Sequence, residues 1–194
     1  YYNSMSSSNA RFITLVGVLF TLWLSGQAAQ NVSTGNLTDF QQRGQVLSLT
    51  ASNSSAEVHV FSPTMFRIRI VPQKTDKTTV FESDFSYAVS GEAVTTKYTL
   101  SEDANALTLI TDSLKLTINK KPIRFVFSTL DGRVINADDA GFGTSWLGDE
   151  ITTYKQLFPG ERFIGLGEKT GNLDRRGNGY ENWNTDAFGY GTGT

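Results

Sequence analysis

The chain has 194 residues, no cysteine, a single histidine and a formal net charge of −2. These totals exclude a disulfide framework, a zinc knuckle, a thiol nucleophile and a histidine-rich metal site. With 19% charged and 12% aromatic residues, the composition suits one globular domain with a real core, and it is not basic enough to point to nucleic acid.

Arg11 precedes a continuous apolar run from Phe12 to Leu24, and small residues follow in Ser25-Gly26-Gln27-Ala28-Ala29. The run is about 13 residues, short of the roughly 20 that span a bilayer. The pattern predicts a secretory signal peptide over 1–29 with cleavage after Ala28. It implies a secreted or periplasmic protein, with no membrane attachment once the peptide is removed. A buried helix and a membrane anchor are the alternatives. Met5, rather than Tyr1, is the expected start. Asn31, Asn36 and Asn53 each open an N-x-S/T sequon, which matters only in a host that glycosylates. Residues 30–43 are polar and read as a linker.

Period-two alternation then begins. In Met65-Phe66-Arg67-Ile68-Arg69-Ile70 the even positions are apolar, and Arg67 and Arg69 face the other way. Leu114-Lys115-Leu116-Thr117-Ile118-Asn119 repeats the pattern, and Ile123-Arg124-Phe125-Val126-Phe127 is similar. Such runs are half-buried strands. They predict a core that holds Phe66, Ile68, Ile70, Leu114, Leu116 and Ile118. Val94–Leu100 and Leu107–Ile110 add two strands rich in β-branched and aromatic residues. Asp131-Gly132 marks a hairpin between Phe125–Leu130 and Val134-Ile135. No helical period is evident between 44 and 170. Many short strands separated by turns predict an all-β antiparallel β-sandwich. His59, in Val58-His59-Val60, falls on the polar side of a strand. Trp146 reads as a core residue, with sugar stacking as the alternative.

From Gly160 onward the texture changes, and nine of the 18 glycines fall in this last stretch. Trp183, Tyr180, Tyr190, Asn182 and Asp186 lie among them. Glycine lets a backbone approach a ligand closely. Aromatic rings stack on the apolar face of a sugar, while carboxylates and amides bond its hydroxyls. The loop therefore reads as a carbohydrate-binding surface or as a long structural loop with buried aromatics, and composition leaves both open. Glu168 follows Gly-Leu-Gly at the end of a strand. It is expected to organise the loop by accepting from backbone N–H groups or by pairing with Arg175 or Arg176. The spacing Gly165-x-Gly167-x-x-x-Gly171 is not the dinucleotide fingerprint, and Asp131, Asn136, Asp138 and Asp139 do not keep calcium-loop spacing. No cofactor and no metal is implied.

Three runs carry a resemblance to a known family. They are Phe163-Ile-Gly-Leu-Gly-Glu-Lys-Thr-Gly171, Leu173-Asp-Arg-Arg-Gly177 and Trp183-Asn-Thr-Asp186. Together they resemble the N-terminal, galactose mutarotase-like domain of glycoside hydrolase family 31, of the α-glucosidase type. Phe66–Ile70 and Lys121–Phe125 support it, and the likeness covers residues 44–194. It implies a β-sandwich packed on a C-terminal (β/α)₈ barrel of the same chain. It also implies a retaining hydrolase of O-glycosyl bonds, acting on an oligosaccharide or α-glucoside in carbohydrate metabolism. Retaining enzymes need two carboxyl groups about 5–5.5 Å apart, and in this family both belong to the barrel. No catalytic residue is therefore expected in this chain, which reads as truncated before the barrel and inactive alone. In the family a tryptophan and an aspartate of the tail loop reach the sugar, so the resemblance gives Trp183 and Asp186 a substrate-binding role. Without a substrate, Asp186 would cap a turn.

Two other functions fit a sandwich. A free-standing, non-catalytic carbohydrate-binding module would normally end on a closing strand. A mutarotase-type epimerase would need histidine partners for a glutamate, and His59 is the single histidine.

Overall fold

The computed structural model describes residues 30–73, 81, 87, 93–167 and 171–182. The expected signal peptide lies outside them. Twelve strands and no helix occur among the described residues, so none contains a helix long and apolar enough to cross a membrane.

Two antiparallel meanders make the sandwich. The first is a four-stranded sheet of β2 (Leu37–Arg43), β3 (Val46–Ala51), β4 (Ser54–Ser62) and β5 (Met65–Pro72), in that order. The second is a five-stranded sheet of β6 (Thr99–Glu102), β7 (Ala106–Ile110), β8 (Lys115–Lys120), β9 (Ile123–Ser128) and β10 (Val134–Ala137). Alternation sends every second side chain to the inner face, and the registers line these side chains up across each sheet. Leu47 pairs with Val58, and Val58 with Ile68. In the other sheet Leu107 pairs with Ile118, and Ile118 with Phe125. Leu47, Val58, Leu107, Leu116 and Ile118 are fully buried in one shared cluster, with Phe66, Ile68 and Ile70 packed against it. Leu114 is buried as well, at the turn before β8. The expected antiparallel sandwich and its six inward positions are therefore present. On the outer face Arg69 lies 3.8 Å from Glu57. His59 is half-buried, edge-on to Phe61 at 5.7 Å.

Two expectations need correction, and a third feature was not anticipated. Residues 30–43 are not a bare linker, because β2 pairs along β3 and β1 (Val32–Ser33) pairs with β11 (Thr144–Leu147). β2 is an edge strand with most side chains in water, so its polar composition disguised it. The second correction concerns Val94–Leu100, where strand structure begins only at Thr99. The residues before it cross between the sheets instead. Val94 N–H donates to the Phe61 carbonyl at 2.8 Å, Gln45 Nε2 to the Thr96 carbonyl at 3.0 Å, and the Tyr98 hydroxyl to the Gly44 carbonyl at 2.7 Å. Third, β11 and β12 (Glu150–Thr153) join β1 in a separate three-stranded sheet of order β1-β11-β12. Trp146 is buried there, opposite Val32 and Ile151, and so is not placed to stack on a sugar.

The Asp131-Gly132 hairpin is present. Thr129 N–H bonds the Arg133 carbonyl at 2.9 Å and the Thr129 hydroxyl bonds the Asp131 carboxylate. Gly132, at φ +93°, takes the left-handed position that the turn requires.

Candidate functional site

The tail hangs from the sandwich through the chain that follows β12. Tyr154 N–H donates to the Gly143 carbonyl at 2.8 Å, Asp139 N–H to the Tyr154 carbonyl at 3.0 Å, and Gln156 N–H to the Ala137 carbonyl at 2.8 Å. Between these bonds Lys155 Nζ meets Asp138 Oδ1 at 2.6 Å. The other Asp138 oxygen accepts Phe125 N–H of β9 at 2.9 Å. A buried carboxylate thus ties the root of the tail to a core strand.

Arg124 fixes the loop beside that root. It is 3% exposed. Its Nε donates to the Asp139 carbonyl at 3.0 Å, Nη2 to the Gly141 carbonyl at 3.1 Å, and Nη1 to the Ile123 carbonyl at 2.8 Å and Thr34 Oγ1 at 3.3 Å. Gly143 passes so close that a β-carbon there would sit 2.5 Å from Arg124 Cζ.

Beyond residue 156 the chain turns on itself. Phe158 N–H donates to Glu161 Oε2 at 3.0 Å. Ile164 and Asp174 then form an antiparallel bridge, and Arg175 N–H donates to the Phe163 carbonyl at 2.7 Å. Asp174 Oδ1 closes the pairing by accepting from Phe163 N–H and Arg176 N–H, both at 3.1 Å. Between the two arms, Gly165, Leu166 and Gly167 all have positive φ. Leu166, at φ +68°, is the described non-glycine residue in that region, a conformation that costs a β-carbon-bearing residue on the order of 1 kcal/mol.

Of the residues singled out from sequence, Arg175 and Arg176 are described, whereas Glu168, Trp183 and Asp186 lie outside the described residues. Arg176 Nη1 donates to the Phe158 carbonyl at 2.8 Å and the Glu161 carbonyl at 2.6 Å. Arg175 is 8% exposed, with its guanidinium 5.3 Å from the Tyr180 ring centroid, within cation–π range. Leu157, Phe163, Ile164 and Leu166 line a cleft of about 490 Å³ together with Arg162 and Tyr180. None of the described residues that line it is acidic. No cluster of three or more metal-ligating side chains occurs among the described residues.

Sequence reasoning did not single out Asp174, although it sits in the quoted Leu173–Gly177 run. An aspartate just before Arg-Arg-Gly is a turn signal that points to it. Its carboxyl is held below the ordinary carboxylate range, first by Arg176 N–H, then by Phe163 N–H, and further by the charges of Arg162 and Arg176. A pKa depressed on folding gives a contribution that is present above the unfolded value and lost as pH falls through the folded one. The Phe163 and Arg176 amide NMR shifts are therefore expected to move together as pH drops below about 4, and to stay flat in Asp174→Asn. Flat shifts in the unsubstituted chain would overturn this role for Asp174.

A two-sheet antiparallel sandwich followed by a folded-back Gly-rich loop defines an all-β sandwich domain of the galactose mutarotase-like kind. The family model for the "Glycosyl hydrolase 31 N-terminal galactose mutarotase-like domain" matches residues 55–194, and the chain belongs to that family. It is 26% identical over 164 residues to Alpha-glucosidase 2 of Bacillus thermoamyloliquefaciens, a match that covers 84% of this chain and 20% of that protein. A Flavobacterium johnsoniae GH31 dextranase, solved in complex with glucose, is 29% identical with a TM-score of 0.73, covering 83% of this chain and 20% of that one. The cycloalternan-forming enzyme of Listeria monocytogenes, at 18% identity and a TM-score of 0.60 over 77% of this chain, shares the fold. The chain thus spans about a fifth of the length of the α-glucosidase and the dextranase.

Proposed function

We propose that this chain is the N-terminal domain of a secreted or periplasmic retaining glycoside hydrolase that cleaves α-linked glucosides. Its tail loop lends Trp183 and Asp186 to a sugar site whose catalytic carboxylates belong to a C-terminal barrel. The observation that carries the reading is the family match through residue 194, which includes both side chains. The relatives' substrates support it: one is an α-glucosidase, and the dextranase has also been solved with isomaltotriose. The Arg11–Ala29 pattern supports export.

The test is made in the full-length protein. A hydrogen bond to a charged group contributes about 1.5–3 kcal/mol, or roughly 10- to 150-fold in kcat/KM at 1.4 kcal/mol per decade. Asp186→Ala is expected to lose that much on an aryl α-glucoside, with Asp186→Asn between it and the unsubstituted enzyme. An unchanged kcat/KM in Asp186→Ala would make the loop structural. Complete loss in Asp186→Asn would place Asp186 in the chemistry itself.

A further inference from the structure

Arg124 is a buried cation with no carboxylate partner among the described residues. It is 3% exposed, and it donates only to three backbone carbonyls and the Thr34 hydroxyl. Arginine is almost never fully buried unless its charge is paired, and these acceptors carry only partial charge. A guanidinium has five N–H groups. Four are used here, which leaves one N–H of Nη2 without a partner among the described residues.

The same residue lines a cleft of about 250 Å³ with Asn105, Asn119, Lys121, Pro122 and Ala140. Strand register builds this cleft. Asn119 of β8 is directly opposite Arg124 of β9, so both side chains leave the same outer face of the sheet. Lys120 N–H donates to the Asn105 carbonyl at 2.8 Å and holds the neighbouring turn in place. Ala140 lies between Asp139 and Gly141, whose carbonyls grip the guanidinium, which puts the guanidinium at the cleft wall. The residues that line the tail cleft take no part in it.

The two charged residues at the cleft, Lys121 and Arg124, are both cations. The carboxylates nearby are engaged elsewhere. Glu102 pairs with Lys120 at 2.6 Å, and Asp138 with Lys155 at 2.6 Å. Asp103 accepts the Asn105 and Ala106 N–H groups, and Asp139 accepts those of Gly141 and Phe142. Lys121 is exposed to water.

We propose that this cleft binds a small oxyanion: a carboxylate, sulfate or phosphate group. The remaining Nη2 N–H and the Lys121 ammonium donate to the anion, which supplies the counter-charge that Arg124 lacks. The Asn105 and Asn119 carboxamides bond hydroxyls attached to it. The cleft is smaller than the roughly 300–1,000 Å³ of drug-sized ligand pockets, which suits a free inorganic anion or the acid group of a single sugar unit.

Calorimetric titration of the full-length protein tests this, with sulfate, D-glucuronate and D-glucose as probes and ionic strength held constant with chloride. Sulfate and glucuronate are expected to bind saturably, and both more tightly than glucose. Lys121→Gln should weaken both anions by about 10-fold, the change that 1.4 kcal/mol produces. Lys121 is exposed, so its substitution leaves the sandwich folded, and a urea midpoint equal to that of the unsubstituted protein checks this. Asn119→Leu separates the two sources of the anion. Weakened glucuronate with sulfate unchanged would support an acidic sugar, and equal affinities in that variant would support a free oxyanion. No saturable binding of sulfate or glucuronate would overturn the proposal, as would affinities unchanged in Lys121→Gln. Glucose binding as tightly as glucuronate would make the cleft a neutral polyol site and overturn it too.

Discussion

Ile118→Asp is expected to abolish cooperative folding of the chain. Ile118 is fully buried, paired with Leu107 on one side and Phe125 on the other, inside the cluster both sheets share. A carboxylate there would have to be protonated or stay charged without a partner, and no buried cation belongs to that cluster. Uncompensated polar burial of this kind costs several kcal/mol, and the lost isoleucine packing adds a few more. Domains of this size hold only about 5–15 kcal/mol in total. Ile118→Val, which removes one methylene, should cost about 0.5–1.5 kcal/mol and keep a sharp transition. Circular dichroism through a urea titration distinguishes the two. A folded Ile118→Asp chain with near-normal stability would refute the register of β8.

Arg124→Leu is expected to be the next most damaging change, at about 3 kcal/mol or more. Replacing a buried ion by a hydrophobe is often neutral when its partner is removed with it. Here the partners are the backbone carbonyls of Ile123, Asp139 and Gly141, which no side-chain substitution removes. A stranded buried acceptor costs about 1–3 kcal/mol; the Ile123 carbonyl keeps the Thr34 hydroxyl at 3.3 Å, so the cost falls on the part-buried Asp139 and Gly141 carbonyls, less whatever water recovers through the small cleft that Arg124 helps to line. Gly143→Ala should disturb the same place from the other side. It forces a β-carbon into a φ of +54° and against the guanidinium. Urea midpoints with unchanged slopes measure both effects. An Arg124→Leu chain within about 1 kcal/mol of the parent stability would mean that water satisfies those carbonyls.

What was legible in the sequence follows from how burial is patterned. β5, β8 and β9 present one face to the core, so their side chains alternate, and the inward positions from Phe66 to Ile118 can be read directly. β2 is an exposed edge, and nothing in a mostly solvated strand forces alternation. The three-stranded sheet was illegible for the same reason: β1 has two residues, and every residue of β12 is exposed. Arg124 looked like the outward residue of an alternating strand and is outward from the main core, yet a second layer of loop buries it. That layer comes from residues 138–143, whose position alternation in β9 does not encode. The site behaves likewise. The motif runs located the loop, but Asp174 and the Lys155–Asp138 pair depend on which backbone amides and strands come to rest beside them.

The two meanders and the small sheet also differ in how far along the chain each must reach. Within each meander, consecutive strands are neighbours joined by short turns, so those contacts close small loops and are available early in folding. The β1–β11 pairing joins Val32 to Trp146 across most of the described chain, and non-local contacts of this kind are slow to form. The small sheet is therefore expected to assemble last. The tail leaves from β12, at the edge of that sheet, so the segment that carries the cleft is expected to become ordered only after both larger sheets are in place.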